Sequence, residues 1–90
     1  DSEAKLTTEE ARRAFADFRR RLEGLEALNS DNFRELMKAV AKHTGVKGKS
    51  LWEPMRIALT RDTSVPDLAL FVDVLGKQTT LNRIDRALVQ

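Results

Sequence analysis

The stretch Gly45-Val46-Lys47-Gly48-Lys49-Ser50 ends in the residue types that hold phosphate in a nucleotide-binding loop. Such a loop has four residues between its glycines and follows a β-strand, so that backbone N–H groups cradle the phosphates. Here two residues separate the glycines, and the pattern that precedes them is helical. The sequence therefore predicts the end of one helix followed by the start of the next, and it does not predict an ATP site.

Residues suited to catalysis or metal binding are few. The chain has one histidine, His43, and no cysteine, which excludes disulfides and thiolate metal sites and leaves too few ligands for zinc. His43 falls near the end of a predicted helix, where it can interact favourably with the helix dipole. The pairs Glu9/Glu10 and Asp62/Asp67 fall in predicted caps and loops, where carboxylates are usually solvated. We expect no catalysis by this chain alone.

Positive charge is concentrated in one part of the chain. The formal net charge of the 90 residues is +2, but residues 42–61 contain five cations against one acid, Glu53, and so carry +4. A local basic surface on a nearly neutral domain suits a polyanionic partner. A solvated helix face gives the same pattern, and charge alone does not distinguish the two. The five cations are Lys42, Lys47, Lys49, Arg56 and Arg61.

Apolar residues recur at three- and four-residue steps along the first half of the chain, which is typical of helices. Thr7 with Glu10 forms a capping box for a first helix, which Gly24 weakens before a break near residues 29–30. Ser30 or Asp31 can cap the second helix, and Gly45 is expected to end it. The predicted buried stripes are Ala11, Ala14, Phe15, Phe18, Leu22 and Leu25 in the first helix, and Phe33, Leu36, Met37, Val40 and Ala41 in the second.

Three further helices are predicted in the second half of the chain. Ser50 with Glu53 forms a second capping box, with Pro54 at the edge of the first turn of a third helix that ends near residue 60. Pro66 is the expected first residue of a fourth helix, which Gly76 ends. The fifth helix is expected to have Thr79 or Thr80 as its cap and to carry Leu81, Ile84 and Leu88.

Length and composition fit a single all-α domain, a compact bundle of about five short helices. The chain has 90 residues, of which 41% are hydrophobic, and no apolar run approaches the length of a membrane span. Helices this short must bury their stripes against one another. Because the chain begins without methionine and without an apolar leader, we expect it to be a fragment of a longer protein.

The segment of residues 49–60, Lys-Ser-Leu-Trp-Glu-Pro-Met-Arg-Ile-Ala-Leu-Thr, carries a family resemblance. It resembles the part of bacterial-type glutamyl-tRNA synthetases in which an aromatic residue, a proline, a bulky apolar residue and an arginine precede Ala-Leu-Thr. The later residues Leu75-Gly76-Lys77, Leu81, Arg83-Ile84 and Ala87-Leu88 are similar to the end of the same family, without gaps from residue 51 onward. The resemblance implies the C-terminal, all-α anticodon-binding subdomain of that enzyme.

The resemblance also implies where the transfer RNA is held, namely at the Pro-x-Arg helix start and in the loop that leads to the later proline and leucine. Anticodon bases are unstacked, so they can lie on apolar or planar side chains and form hydrogen bonds at their edges. Arg56 offers a rigid donor fork and a flat face, and Trp52 can stack a base. Lysines suit phosphate contacts, which position RNA without reading its sequence. The expected tRNA-binding residues are Lys47, Lys49, Trp52, Glu53, Pro54, Arg56, Arg61, Val65, Pro66 and Leu68.

Structural roles for the same residues remain open at this point. Trp52 and Leu68 can belong to the core, and the two prolines can serve only to start helices. Arg56 can form an ion pair with Glu53 or Asp62. The family usually has glycine after Ala-Leu-Thr, whereas this chain has an arginine at position 61, which changes the loop or adds a charge to the RNA-binding face.

The implied partners are the anticodon loop of tRNA-Glu and the catalytic and stem-binding domains of the same polypeptide, in a cytoplasmic enzyme. We expect no cofactor in this chain, because ATP and magnesium would belong to the absent catalytic domain. Two other functions compete. A stand-alone helical module that binds a protein predicts an exposed apolar patch, and a small DNA-binding domain predicts a preference for duplex DNA over an anticodon stem-loop.

Overall fold

Four α-helices form the protein in this computed structural model, which describes residues 9–60 and 67–89. They are α1 (Glu9–Glu23), α2 (Ser30–Thr44), α3 (Lys49–Thr60) and α4 (Leu68–Leu88), and no strand occurs in these two ranges. The predicted all-α class is confirmed. The predicted count of five helices is wrong by one, because the expected fourth and fifth helices form the single kinked helix α4. The first predicted cap, at Thr7, lies outside the described residues.

The core lies where α1 meets the other three helices, and α4 also contacts α2 and α3. The predicted stripe of α1 is buried from Ala11 to Leu22, with Leu25 partly buried at the end of the helix. Phe33 of α2 lies at the centre: the Phe18 ring packs on it from α1 with centroids 5.8 Å apart, and the Trp52 ring packs on it from α3 with centroids 6.1 Å apart. Both pairs have edge-to-face geometry, which adds to the free energy gained by burying the rings.

The cap of α2 differs from the predicted one. The predicted caps were Ser30 and Asp31, but the cap is Asn29, whose side-chain oxygen accepts from the Asn32 backbone N–H over 2.9 Å. The Asn32 side chain in turn accepts from the Asn29 N–H over 2.8 Å. This reciprocal pair satisfies two N–H groups that the helix leaves free. Gly45 ends α2 as predicted, because its φ of 78° suits glycine.

Helix α3 begins one residue before the predicted capping box. Gly48, with φ of 64°, precedes the helix, and its carbonyl accepts from the N–H groups of Leu51 and Trp52 over 3.1 and 3.0 Å. Ser50 therefore lies inside the helix, and its prediction as the cap was wrong. Pro54 also lies inside the helix, so the usual bond from its nitrogen to the carbonyl four residues earlier is absent.

Helix α4 starts two residues after the predicted start at Pro66, which itself lies outside the described residues. The cap is Asp67, whose carboxylate accepts from the Ala69 N–H over 3.0 Å and from the Leu70 N–H over 3.4 Å. A carboxylate at this position also interacts favourably with the positive end of the helix dipole.

A kink at Gly76 replaces the predicted break between two helices. Gly76 has φ of 81° and ψ of 170°, a conformation that is essentially restricted to glycine. The predicted caps Thr79 and Thr80 both lie inside α4, and the Thr80 hydroxyl donates to the Gly76 carbonyl over 2.8 Å. The chain thus turns at Gly76, as predicted, but the helix continues on both sides of this one non-helical residue.

Lys77, next to the kink, ties α4 to the end of α1. Its Nζ donates to the carbonyls of Leu25 over 2.6 Å and Glu23 over 3.2 Å, where α1 has carbonyls without helical partners. The Leu75-Gly76-Lys77 sequence therefore has a structural role in joining the two helices. Among the described residues, no helix has the length and apolar content needed to span a membrane.

Candidate nucleic-acid interface

Helix α3 carries five of the predicted tRNA-binding residues, of which Lys49 is exposed at its first position and the other four differ in burial. Pro54 is buried, whereas Trp52, Glu53 and Arg56 are half-buried. The half-buried Trp52 ring packs on the core through its contact with Phe33. The structure thus gives Trp52 a packing role, and base stacking by its remaining exposed part stays a prediction.

Arg56 has a hydrogen-bond donor that is unpaired within the described residues. Its Nε is buried and has no hydrogen-bond partner among residues 9–60 and 67–89, and no residue in these ranges forms an ion pair with Arg56. Buried donors are almost always paired, so an unpaired one calls for an explanation such as a waiting ligand. Of the two expected acid partners, Glu53 forms no recorded ion pair with Arg56, and Asp62 lies outside the described residues. The guanidinium of Arg56 therefore remains a candidate RNA contact.

Lys47 and Lys49 are exposed on either side of Gly48, at the entrance to α3. This placement suits contact with phosphates, because exposed ammonium groups on a turn can follow a flexible backbone. Leu68, in contrast, is 2% exposed and belongs to the core, so its side chain holds the start of α4 in place. The remaining predicted residues, Arg61, Val65 and Pro66, lie outside the described residues.

Two arginines of α4 were not predicted as site residues, although they lie beside the end of α3. Arg83 donates from Nη1 to the carbonyl of Leu59, and Arg86 is exposed one turn later. Together with Ala58 and Thr60 of α3, they line one concave pocket. Arg83 and Arg86 are three residues apart and flank Ile84, which is buried. This spacing could have predicted from the sequence that both arginines lie on one side of α4.

A second charged cluster, between α1 and α2, was also missed. The Asp17 side chain is 5% exposed and accepts hydrogen bonds from Arg20 over 2.6 Å and Arg21 over 2.8 Å, while His43 Nδ1 lies 2.9 Å from its Oδ1. Burial acts to raise the pKa of Asp17, but the hydrogen bonds from Arg21 and Arg20 and the charges of Arg21 and His43 together outweigh it, so the pKa is lowered.

This cluster explains the position of His43. The histidine joins the end of α2 to α1 through Asp17, in addition to the interaction with the helix dipole that the sequence predicted. Within the two described ranges, no group of three or more His, Cys, Asp or Glu residues is placed to hold a metal ion. The contact between His43 and Asp17 in this cluster links α2 to α1.

Comparison with known proteins gives consistent matches along nearly the whole chain. A family model described as an anticodon binding domain matches residues 1–88. The glutamate–tRNA ligase of Bacillus pumilus is 43% identical over 86 residues, which are 93% of this chain and 18% of that protein. The glutamate–tRNA ligase of Listeria monocytogenes is 40% identical over 82 residues, 91% of this chain and 17% of that protein.

The glutamate–tRNA ligase of Bacillus subtilis gives a similar match, at 37% identity over 84 residues, 93% of this chain and 17% of that protein. The chain thus spans less than a fifth of the length of these curated relatives. No solved structure gives a significant match.

Proposed function

We propose that this chain, which belongs to the anticodon binding domain family, binds the anticodon loop of tRNA-Glu. The observation that carries the proposal is the family match over residues 1–88, together with relatives that are glutamate–tRNA ligases. In this proposal the chain works within a cytoplasmic ligase, where it positions the tRNA for aminoacylation by a catalytic domain outside these residues. ATP and magnesium would act in that domain.

Arg56 is the proposed base-reading residue. Arg56 is half-buried in α3, and its buried Nε has no partner among the described residues, so a base at the guanidinium would displace no contact recorded within them. A planar guanidinium both stacks on a base and donates in a fixed geometry. Trp52 presents its exposed part four residues earlier on the same helix, so the two planar groups share one side of α3.

The other proposed residues fall into two roles. Lys47, in the exposed turn before α3, and Lys49, the exposed first residue of α3, contact phosphates. Pro54 and Leu68 are buried, so we propose that they act indirectly, by fixing the positions of α3 and of the start of α4. Glu53 remains a proposed base contact, and so do Arg61, Val65 and Pro66 in the segment outside the described residues.

Titration of the chain with a tRNA-Glu anticodon stem-loop at two salt concentrations tests this function. Because phosphate contacts release counterions, the proposal predicts that affinity falls steeply as salt rises. It also predicts tighter binding to the tRNA-Glu loop than to a stem-loop of the same length with a scrambled loop. Equal affinity for both RNAs, or affinity independent of salt, would refute anticodon recognition by this chain.

A protein-binding module is the alternative, and one observation favours it. Leu70 and Val74 are 56% and 87% exposed and lie four residues apart on α4, so they form a small apolar surface. Isolated exposed apolar residues are common on monomeric proteins, which makes this support weaker than the family match. Partner binding through this surface would depend little on salt, in contrast to RNA binding.

A further inference from the structure

A concave pocket of about 240 Å³ lies between the last turn of α3 and the last turns of α4. Ala58 and Thr60 line it from α3, and Arg83 and Arg86 line it from α4. Among the described residues, two charged side chains line it, both of them arginines, and no carboxylate does. Two positive charges in a concave, low-dielectric site concentrate the electrostatic field on an anion that enters it.

The fold holds both arginines at the pocket. Ile84 and Ala87, the residues that follow them in the sequence, are 0% and 3% exposed and anchor this part of α4 in the core. Arg83 donates from Nη1 to the Leu59 carbonyl, which orients its guanidinium and leaves other N–H groups for a ligand. Arg86 is exposed, and no ion pair is recorded between it and another described residue.

The pocket adjoins the side of α3 that carries Arg56. Thr60 lies one turn after Arg56, and its hydroxyl donates to the Arg56 carbonyl over 2.7 Å. One helical turn rises about 5.4 Å, so Thr60 at the pocket lies about that far along α3 from Arg56. An anion in the pocket would therefore lie near a base held at Arg56.

The chemistry of the pocket indicates which anion fits it. The last turn of α3 has backbone carbonyl oxygens whose partial negative charge repels anions. Arg83 donates a hydrogen bond to one of them, the carbonyl of Leu59. The ligand must therefore carry enough charge and enough oxygens to bind two guanidinium groups at once. A phosphate meets this condition, because its oxygens accept from both arginines in parallel, charge-assisted bonds.

We infer that the pocket lined by Arg83 and Arg86 binds a backbone phosphate of the RNA next to the base held at Arg56. The inference rests on the proposed function, and it adds a contact that positions the loop without reading its sequence. In this arrangement a residue of α3 contacts the base, and two residues of α4 bind the neighbouring phosphate.

Removal of one charge from the pocket tests this inference. Arg86→Gln is expected to weaken binding of the tRNA-Glu stem-loop about threefold to tenfold and to lower the slope of log affinity against log salt by about 0.7, the value for one phosphate contact on a single strand. The loss should be the same for the scrambled loop, because a phosphate contact is independent of sequence. Lys38→Gln removes the same charge from an exposed position on α2 and should change the slope far less.

Arg83→Gln provides a second variant, in which the charge is removed together with the bond from Nη1 to the Leu59 carbonyl. It should stay folded, as judged by its thermal transition, and combine with Arg86→Gln to lower the slope further. Nitrogen-edited NMR spectra should show the Nε–H signals of both arginines moving when the stem-loop is added. Movement of these signals with a tetraglutamate peptide and not with RNA would assign the pocket to an acidic protein and overturn the inference.

The outcomes separate this inference from the proposed function. An unchanged affinity and slope for folded Arg86→Gln, beside normal binding by the parent chain, would overturn the phosphate pocket and leave anticodon recognition standing. A parent chain that binds both RNAs equally, with the expected loss for Arg86→Gln, would overturn anticodon recognition and keep the pocket. Absence of RNA binding by the parent chain would overturn both.

Discussion

The ring of Trp52 meets the ring of Phe33 edge to face, with the ring centroids 6.1 Å apart and the planes at 76°. This contact joins α3 to α2 through a residue whose ring was expected, from its chemistry, to stack on a base. Trp52 is half-buried, so one part of its ring packs on Phe33 and the exposed part is accessible for stacking on a base.

Replacement of Trp52 separates packing from stacking. Because the ring is only half-buried, Trp52→Ala should lower the free energy of unfolding by about 2 kcal/mol, below the range for a fully buried aromatic residue, and Trp52→Phe should lower it by about 1 kcal/mol. Urea denaturation followed by circular dichroism measures both. A folded Trp52→Ala variant with unchanged stability and a tenfold loss of RNA affinity would contradict the packing role. Trp52 is the only tryptophan, so quenching of its fluorescence by RNA directly reports stacking in the parent chain.

The kink of α4 should depend on glycine at position 76. A Cβ at Gly76 would meet nothing within 4 Å, so the cost of Gly76→Ala is backbone strain at φ of 81° and ψ of 170°, about 1–3 kcal/mol. Thermal denaturation measures this loss. The matched control is Gly24→Ala, where the new Cβ would lie 3.5 Å from the Arg21 carbonyl, an ordinary contact, and stability should change little. Equal effects of the two substitutions would rule out the strained kink.

The Asp17 cluster should make stability depend on pH. The folded state lowers the pKa of Asp17 below its ordinary value of about 4. A lowered pKa means that the ionised carboxylate stabilises the fold in full above the unfolded value. That stabilisation is lost as pH falls from about 4 through the lowered folded value. The parent chain should therefore lose stability in this acidic window relative to Asp17→Asn, which has no carboxyl group to titrate there.

At pH 6 the same substitution should cost about 1–2 kcal/mol, because Asp17→Asn weakens the hydrogen bonds from two arginines that can partly return to water. Glu35→Gln is the control, since Glu35 is exposed and its nearest cation, Lys38, is 4.0 Å away. Urea denaturation at a series of pH values measures both variants. A stability difference between parent and Asp17→Asn that stays constant from pH 6 to pH 3 would argue against the lowered pKa.

The helical parts of the fold were predictable because burial depends on periodicity. The stripes of α1 and α2 are buried as their spacing indicated, and Gly45 ends α2 with the expected left-handed backbone. The caps were less predictable. Asn29, Ser30 and Asp31 all have side chains that can cap a helix, and the choice of Asn29 depends on its reciprocal bonds with Asn32.

The candidate site was predictable only in part, because one residue type can serve packing and recognition equally well. A proline or a leucine in an RNA-binding segment has the same sequence pattern whether it touches a base or the core, and Pro54 and Leu68 are buried. Arg83 and Arg86 are brought beside α3 by the turn at Gly76 and the packing of α4, which are tertiary features. Asp17 is buried in α1, where its charged neighbours along the sequence suggested an exposed face.

Recognition of the anticodon through Arg56 is tested by the ratio of two affinities, one for the tRNA-Glu anticodon stem-loop and one for its scrambled-loop control. The ratio is measured for the parent chain, Arg56→Ala and Arg13→Ala at one salt concentration. Arg13 is an exposed arginine of α1 paired only weakly with Glu9, and it serves as the matched control. The account predicts that Arg56→Ala lowers affinity for the tRNA-Glu loop about tenfold and brings the ratio close to one, whereas Arg13→Ala leaves the ratio unchanged. A folded Arg56→Ala variant that keeps the parent ratio would contradict the claim that this domain reads the anticodon through Arg56.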